Sequence, residues 1–114
     1  MPIKRECEYA DCPVEAALDL IGGKWKSMTI ALLMQKTMRF SELQRALRTV
    51  THRVLAAQLK DLEESGLIHR EVFPEVPPRV EYSLTELGRT LQPLMAELQA
   101  WGEKYALHRQ SAAS

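Results

Sequence analysis

The sequence predicts a mainly α-helical domain that carries one small β-hairpin. Two patterns predict this fold class: apolar residues recur at helical spacing through most of the chain, and two short extended runs flank a proline-rich hexapeptide. The length of 114 residues suits a single compact domain. We expect a flexible arm over residues 1–11, the folded domain over 12–108, and a disordered tail over 109–114.

Two helices open the domain. Pro13 suits the first position of a helix with Cys12 as its N-cap, and Gly22-Gly23 ends that helix. Its apolar stripe consists of Val14, Ala17, Leu18 and Ile21. A second helix is predicted from about Trp25 to Met34, with four side chains that face inward: Trp25, Met28, Leu32 and Leu33.

A pair of short helices follows. Residues 41–44, with the sequence SELQ, form a capping box that opens the third helix. Its predicted buried positions are Leu43, Ala46 and Leu47. Thr51 caps a fourth helix that runs to about Ser65, and Gly66 supplies the left-handed residue that ends it. The inward face of the fourth helix consists of Leu55, Leu59 and Leu62.

The hairpin and a long helix complete the domain. Leu67–Phe73 and Val80–Leu84 are the predicted strands, and residues 74–79, with the sequence PEVPPR, are too rich in proline to pair and form the tip. Thr85 caps the last helix, which Pro93 kinks or divides near Gln92. Its apolar stripe, at spacings of four and three, is Leu87, Leu91, Leu94, Leu98, Trp101 and Tyr105.

Charge is distributed unevenly along the chain. The formal net charge is zero, from 15 basic and 15 acidic residues, yet residues 35–60 hold six basic residues and one acidic residue. Residues 1–20 hold two basic and five acidic residues. A basic segment within a neutral chain is typical of a protein that presents one face to a polyanion, although charge alone also fits a solvated helix surface.

The arrangement of two short helices, a tight turn and a following hairpin predicts a winged helix-turn-helix, whose second helix enters the major groove of double-stranded DNA. Arg53 is expected to contact guanine, and His52 a base edge or a phosphate. Arg79 is expected in the minor groove, unless it only pairs with Glu75 or Glu81. The predicted DNA-binding residues, including phosphate contacts, are Arg39, Ser41, Arg45, Arg48, Thr51, His52, Arg53, Ala56, Lys60 and Arg79.

Four segments resemble the HxlR-type regulators, a branch near the MarR proteins. They are CPVEAALDLIGGKW (12–25), MRFSELQRAL (38–47), LAAQLKDLEESGLIHR (55–70) and PEVPPRVEYSLTELG (74–88). The resemblance covers roughly residues 12–105. It implies a winged-helix transcription factor, commonly a local bacterial repressor, that forms a homodimer through its first and last helices.

The dimerisation helices are expected over residues 12–22 and 86–108. The last helix supports this independently, because its apolar stripe is longer than one small core easily covers, although it could also pack within its own chain. Predicted interface residues are Val14, Leu18, Leu91, Leu94, Leu98, Trp101 and Tyr105. A dimer would place two recognition helices about 34–36 Å apart on a pseudo-palindromic operator.

Cys12 is the candidate sensor. An N-cap cysteine lies at the positive end of the helix dipole, where a thiolate is stabilised. The resemblance implies redox or electrophile sensing by a cysteine at this place, with an oxidant, a quinone or another electrophile as effector. A purely structural cap and a non-covalent small ligand are the alternatives. Cys7 lies outside the shared segments, and a role as resolving partner to Cys12 is the less favoured one.

Several other classes are not expected. The sequence has no Gly-rich phosphate loop, and His52, His69 and His108 share no spacing, so we predict neither an enzyme nor a metal or cofactor site. The longest apolar run, residues 28–34, is far shorter than the ~20 residues of a membrane span. Without a secretory signal, the chain is expected in the cytoplasm. The remaining rival is a winged-helix module that docks a protein, which would expose apolar residues on the recognition helix.

Overall fold

The computed structural model describes residues 12–113 and confirms a mainly helical fold with a small sheet. Cys7 and the rest of the predicted arm lie outside the described residues. The elements follow in the order α1 (Pro13–Ile21), α2 (Lys24–Gln35), β1 (Met38–Arg39), α3 (Phe40–Leu47), α4 (His52–Glu64), β2 (Ile68–Phe73), β3 (Arg79–Leu84), α5 (Glu86–Arg89) and α6 (Gln92–Ala113).

Helices α1 and α2 have nearly the predicted bounds but differ in how much they bury. In α1 only Ile21 is buried, whereas Val14 and Leu18 are 63% and 54% exposed. Helix α2 buries Thr29, Ile30 and Leu33. The prediction that Met28 faces the core is wrong, because its side chain lies on the side of α2 opposite these buried residues and is 43% exposed.

The start of α3 differs from the prediction. The helix begins at Phe40 with Arg39 as N-cap, and the Arg39 backbone N–H donates to Glu42 Oε1 at 2.9 Å. Ser41 is therefore inside the first turn, and the predicted SELQ capping box is wrong. Ala46 is exposed rather than buried, because Leu43 and Leu47, one turn apart, form the whole buried edge of this short helix.

Helix α4 confirms the prediction within one residue at each end. The Thr51 hydroxyl accepts a hydrogen bond from the Val54 backbone N–H at 3.1 Å, which satisfies one of the unpaired donors of the first turn. The three predicted leucines are completely buried: Leu55, Leu59 and Leu62. Gly66 has φ of +80°, the left-handed conformation expected after the helix.

The sheet is antiparallel with the strand order β1-β3-β2. The hairpin strands β2 and β3 are within one residue of the prediction, and Ile68 pairs with Leu84 at the base of the hairpin and Phe73 with Arg79 near its tip. Strand β1, which the sequence analysis missed, adds the pair of Met38 with Tyr82. The buried face of the sheet completes the core formed by α2, α3 and α4.

The C-terminal region divides near Gln92, as the proline predicts. Thr85 caps α5 by accepting from the Gly88 N–H at 3.0 Å, and α6 then carries Pro93 in its first turn, where the missing N–H costs nothing. Helix α6 continues through residues 109–113, which the sequence analysis assigned to a disordered tail. The stripe along α6 lies outside the core, because Leu94, Leu98, Trp101 and Tyr105 are exposed. Leu91, which precedes α6, is half-buried against the core.

Candidate nucleic-acid interface

Helix α4 presents a polar, basic face opposite its leucine face. Because Leu55, Leu59 and Leu62 hold the helix against the core, the positions between them point to solvent. Arg53, Ala56 and Lys60 are all exposed, and Ala57 beside them is exposed as well. The small alanines allow the helix backbone to approach a flat polyanion, while Arg53 and Lys60 supply charge on either side of them.

The turn between α3 and α4 is a γ-turn centred on Arg48. The Thr49 N–H donates to the Leu47 carbonyl at 2.7 Å, and Arg48 has φ of 62° and ψ of −75°. This conformation is rare and strained for a residue with a side chain. It turns the chain within two residues and leaves the Arg48 side chain exposed beside the N-terminus of α4.

Further cations surround the start of α3. Arg39, Ser41 and Arg45 are exposed, together with the neighbouring Lys36. The Arg39 backbone N–H holds the pKa of Glu42 below its ordinary value, and the charges of Lys36, Arg39 and Arg45 lower it further. In the described chain, no salt bridge within 4.0 Å engages any arginine or lysine of residues 36–60. These positive charges are therefore available to an external anion.

His52 has a specific neighbour. Its ring lies 4.5 Å from the ring of Phe40, at an interplanar angle of 44°, so the first residue of α4 packs on the first residue of α3. His52 is nevertheless exposed. The contact places the imidazole at the N-terminus of α4, the end of a recognition helix from which side chains reach the bases.

Arg79 lies at the base of the wing tip and is folded back. Its guanidinium pairs with Glu75 at 3.1 Å and with Glu81 at 3.5 Å, and it lies 4.1 Å from the centre of the Phe73 ring. Both of the carboxylate pairings that the sequence offered as alternatives are therefore present. In this conformation Arg79 stiffens the wing, and a minor-groove contact would require it to leave both carboxylates.

Two features of the interface were missed in the sequence. Val54 is 37% exposed next to Arg53 and offers a methyl surface suited to the thymine methyl group. The Lys26 ammonium lies 3.6 Å from the Asp61 carboxylate and links α2 to the outer face of α4. The exposure of Val54 could have been identified from its helical spacing to Ala57. The pair of Lys26 with Asp61 depends instead on the angle between two helices.

The predicted sensor and interface residues lie on a different part of the molecule. Cys12 is at the N-cap of α1, is buried, makes no side-chain cap hydrogen bond, and is one half of a disulfide. Along α6, the Trp101 and Tyr105 rings stack with centres 5.4 Å apart. The described residues contain no cluster of three or more histidine, cysteine or carboxylate side chains that could hold a metal ion. Over the same residues, no helix is long and apolar enough to cross a membrane.

Comparison with known proteins agrees with this geometry. A model of the HxlR-like helix-turn-helix family matches residues 20–110. The HTH-type transcriptional regulator YdeP of Bacillus subtilis is 50% identical over 98 residues, which cover 86% of this chain and 77% of YdeP. The redox regulator HypR in its reduced form superposes with a TM-score of 0.83 at 46% identity, over 87% of this chain and 98% of HypR. For the reduced form of YodB from B. subtilis, the TM-score is 0.73 at 37% identity, over 82% and 93% of the two chains.

The basic helix pair, the adjacent wing and these matches define a DNA-binding helix-turn-helix transcriptional regulator. Within that class, the chain belongs to the HxlR-like family, whose model covers most of its length. The resemblance predicted from the sequence is confirmed. The matched relatives are regulators of transcription, and two of the similar structures, HypR and YodB, are described in reduced and oxidised or diamide-treated forms.

Proposed function

We propose that two copies of this chain form a homodimer that binds a pseudo-palindromic operator and represses transcription, and that oxidation or alkylation of Cys12 switches the binding. The observation that carries the DNA role is the outward face of α4, where Arg53 and Lys60 are exposed without an ion pair among the described residues. A protein-docking surface at this position would instead be dominated by exposed apolar side chains. On α4, Val54 is the single large apolar side chain that is exposed.

Dimerisation is supported by the apolar side chains that the single chain leaves uncovered. Val14 and Leu18 on α1, and Leu94, Leu98 and Trp101 on α6, are all 40% exposed or more. Exposed apolar side chains concentrated on two helices are typical of an interaction surface. A dimer also doubles the basic segment that faces DNA, so the neutral net charge of one chain is compatible with tight binding.

The switch is supported by the disulfide at Cys12, which is the oxidised state of a sulfur at the start of a predicted dimerisation helix. Oxidation by diamide would remove two electrons and two protons from two thiols, forming one S–S bond and the corresponding hydrazine. The similarity to HypR and YodB supports the same chemistry for this chain. A quinone would instead form a covalent bond between a ring carbon and the Cys12 sulfur, with the thiol proton passing to the ring oxygen.

Fluorescence anisotropy on the DNA upstream of the chain's own gene tests the proposal. We expect binding that random duplex does not displace, that weakens steeply with salt, and that changes reversibly with diamide and a reductant. Cys12→Ser should bind DNA without responding to diamide, and Cys7→Ser shows whether Cys7 supplies the second thiol. Equal affinity for random duplex would overturn the operator, and a Cys12→Ser protein that responds like wild type would overturn the switch.

A further inference from the structure

The outward face of the β2–β3 hairpin carries opposite charges close to its tip. Phe73 pairs with Arg79, and Glu71 pairs with Glu81 two residues further from the tip. Paired residues of an antiparallel sheet, and residues two apart on one strand, project from the same face. These four side chains therefore share one face of the hairpin, whereas Tyr82 is buried on the other.

Three contacts hold the Arg79 guanidinium on this face. Its Nη2 lies 3.1 Å from Glu75 Oε2, its Nε lies 3.5 Å from Glu81 Oε2, and its Cζ lies 4.1 Å from the centre of the Phe73 ring. The side chains of Arg79 and Glu81 are only 29% and 26% exposed, so water screens this pair incompletely. The two carboxylates occupy guanidinium donors that a DNA phosphate or a base edge would otherwise use.

The arrangement is nevertheless incompletely satisfied. The Arg79 Nε atom is inaccessible to water and makes no hydrogen bond with any described atom, because the Glu81 oxygen at 3.5 Å neutralises charge without meeting hydrogen-bond geometry. A buried donor without a hydrogen bond costs free energy. Glu81 also lies directly opposite Glu71, and like charges in that position destabilise a sheet. An external anion can therefore compete with the carboxylates for Arg79.

The tip lies beside the basic residues at the start of α3. A cleft of about 470 Å³ separates them, with Arg39, Phe40 and Ser41 on one side and residues 75–80 on the other. Arg39 and Ser41 are exposed. In a winged helix-turn-helix, DNA that contacts the recognition helix also passes the wing. Arg79 is therefore held at the edge of the proposed DNA surface.

We propose that Glu75 and Glu81 restrain DNA binding by competing with DNA for Arg79, in an arrangement that we call the wing clamp. In the free protein the carboxylates hold the guanidinium, and on DNA it leaves them for the minor groove, which is narrowest and most negative at A·T pairs. Because opening the clamp costs free energy, Arg79 adds less to affinity and to groove discrimination than an unrestrained arginine would. This inference rests on the proposed function.

The test compares two versions of the upstream DNA. One is ordinary DNA, and in the other 2,6-diaminopurine replaces adenine, which keeps the major-groove N6 and N7 groups but adds an amino group in the minor groove. The ratio of the two affinities, measured by anisotropy, reports how strongly the minor groove is read. Glu75→Gln and Glu81→Gln should each bind ordinary DNA at least about threefold more tightly than wild type and raise the ratio at least about twofold.

The ratio separates the clamp from a general effect of charge. Glu71→Gln removes the same charge from the same face, where Glu71 forms no salt bridge with another described residue, and should keep the ratio of wild type. Arg79→Gln should bind both DNAs about equally, and adding Glu75→Gln to it should not restore discrimination. Circular dichroism melting verifies that every variant is folded.

Two results with DNA would overturn the clamp. The first is that Glu75→Gln and Glu81→Gln keep the ratio seen with Glu71→Gln. The second is that their ratio falls, because the carboxylates would then position Arg79 for DNA rather than withhold it. Either result, obtained with a protein that prefers the upstream DNA to random duplex, leaves the proposed function intact.

Exchange of the Arg79 Nε proton with water, measured by NMR, tests the clamp without DNA. The proton should exchange at least about fivefold more slowly in wild type than in Glu81→Gln, because the clamp shields it. Equal exchange rates would overturn the clamp alone. Slow exchange together with equal affinity for upstream DNA and random duplex would overturn the proposed function, and with it the competition for Arg79.

Discussion

Arg53 is the residue on which sequence-specific contact depends most directly. It is exposed near the N-terminus of α4, where no described carboxylate pairs with it. Its planar guanidinium can donate two hydrogen bonds to the O6 and N7 atoms of guanine, which a lysine at the same position cannot reproduce.

Replacing Arg53 with alanine should therefore weaken operator binding by about 1–3 kcal/mol, roughly 5- to 150-fold, and relax specificity at one base pair. Arg53→Lys should keep non-specific binding but lose most of the specificity. Anisotropy with operator and random duplex measures both quantities. Arg70→Ala removes an exposed arginine from β2 and is the control; similar losses in the two alanine variants would exclude a specific role for Arg53.

Arg48 combines a strained backbone with a charge facing the proposed DNA surface. A φ of 62° and a ψ of −75° are costly for any residue with a Cβ atom. The free energy of unfolding of Arg48→Gly should therefore be about 1 kcal/mol higher than that of Arg48→Ala. Urea denaturation measures this difference. Both variants lose the same charge. Both should therefore reduce the slope of DNA affinity against salt concentration by the amount that about one phosphate contact contributes.

The paired Arg48 variants have two independent outcomes. If glycine and alanine unfold at the same urea concentration, the γ-turn carries no strain in solution. If both variants bind DNA with the salt dependence of wild type, Arg48 does not contact a phosphate. Either result leaves the other conclusion intact, since stability and DNA binding are measured separately.

At the scale of single elements, the start of α3 depends on the Glu42 carboxylate. The pKa of this carboxyl is lower in the folded chain than its ordinary value of 4.5. The ionised carboxylate therefore stabilises the fold at pH values above 4.5, and this contribution is lost as the pH falls through the pKa of the folded state. Glu42→Gln should therefore be less stable than wild type at pH 7, and the difference should shrink at acidic pH.

Urea denaturation at pH 7 and at about pH 3 tests the prediction for Glu42. Glu103→Gln, an exposed glutamate within α6, controls for the general effect of removing one negative charge. A difference between wild type and Glu42→Gln that is independent of pH would show that the carboxylate charge does not stabilise the N-terminus of α3.

How far the sequence predicts an element depends on whether its signals are local. Helix α4 was placed within one residue because its cap, its leucine spacing and Gly66 are all adjacent in the chain. The start of α3 was misplaced because Ser41 is a better N-cap by residue type than Arg39, although the Arg39 backbone makes the bond to Glu42. Strand β1, at two residues, is too short to alternate and forms only through its pairing with β3.

The same distinction applies to the candidate site. Exposure of Arg53 and Lys60 follows from the spacing of the buried leucines, so the sequence predicted the basic face of α4. The partners of Arg79 were predicted only in part. The sequence identifies Glu75 and Glu81 as alternative partners, whereas the hairpin geometry brings both carboxylates to the one guanidinium. The contact of Phe40 with His52 joins two helices and has no local signal.

At the scale of the whole molecule, the exposed stripe on α1 and α6 predicts the oligomeric state. Trp101 is 64% exposed and stacks on Tyr105, so a single chain leaves a large apolar surface in water. Wild type should sediment as a dimer at micromolar concentration. Trp101→Glu should dissociate it, because a dimer would bury the new charges without partners.

Dissociation of the dimer should weaken operator binding roughly 100-fold or more, since the second half-site is no longer bound intramolecularly, while a DNA fragment with one half-site should be bound about equally by both proteins. Leu107→Glu is the matched control, because Leu107 is 65% exposed on the same helix but lies off the stripe. Sedimentation velocity and anisotropy measure the two effects. If Trp101→Glu and Leu107→Glu remain equally dimeric, the stripe is not the interface. If wild type and both variants all sediment as monomers and still bind the operator tightly, dimerisation does not explain the operator affinity.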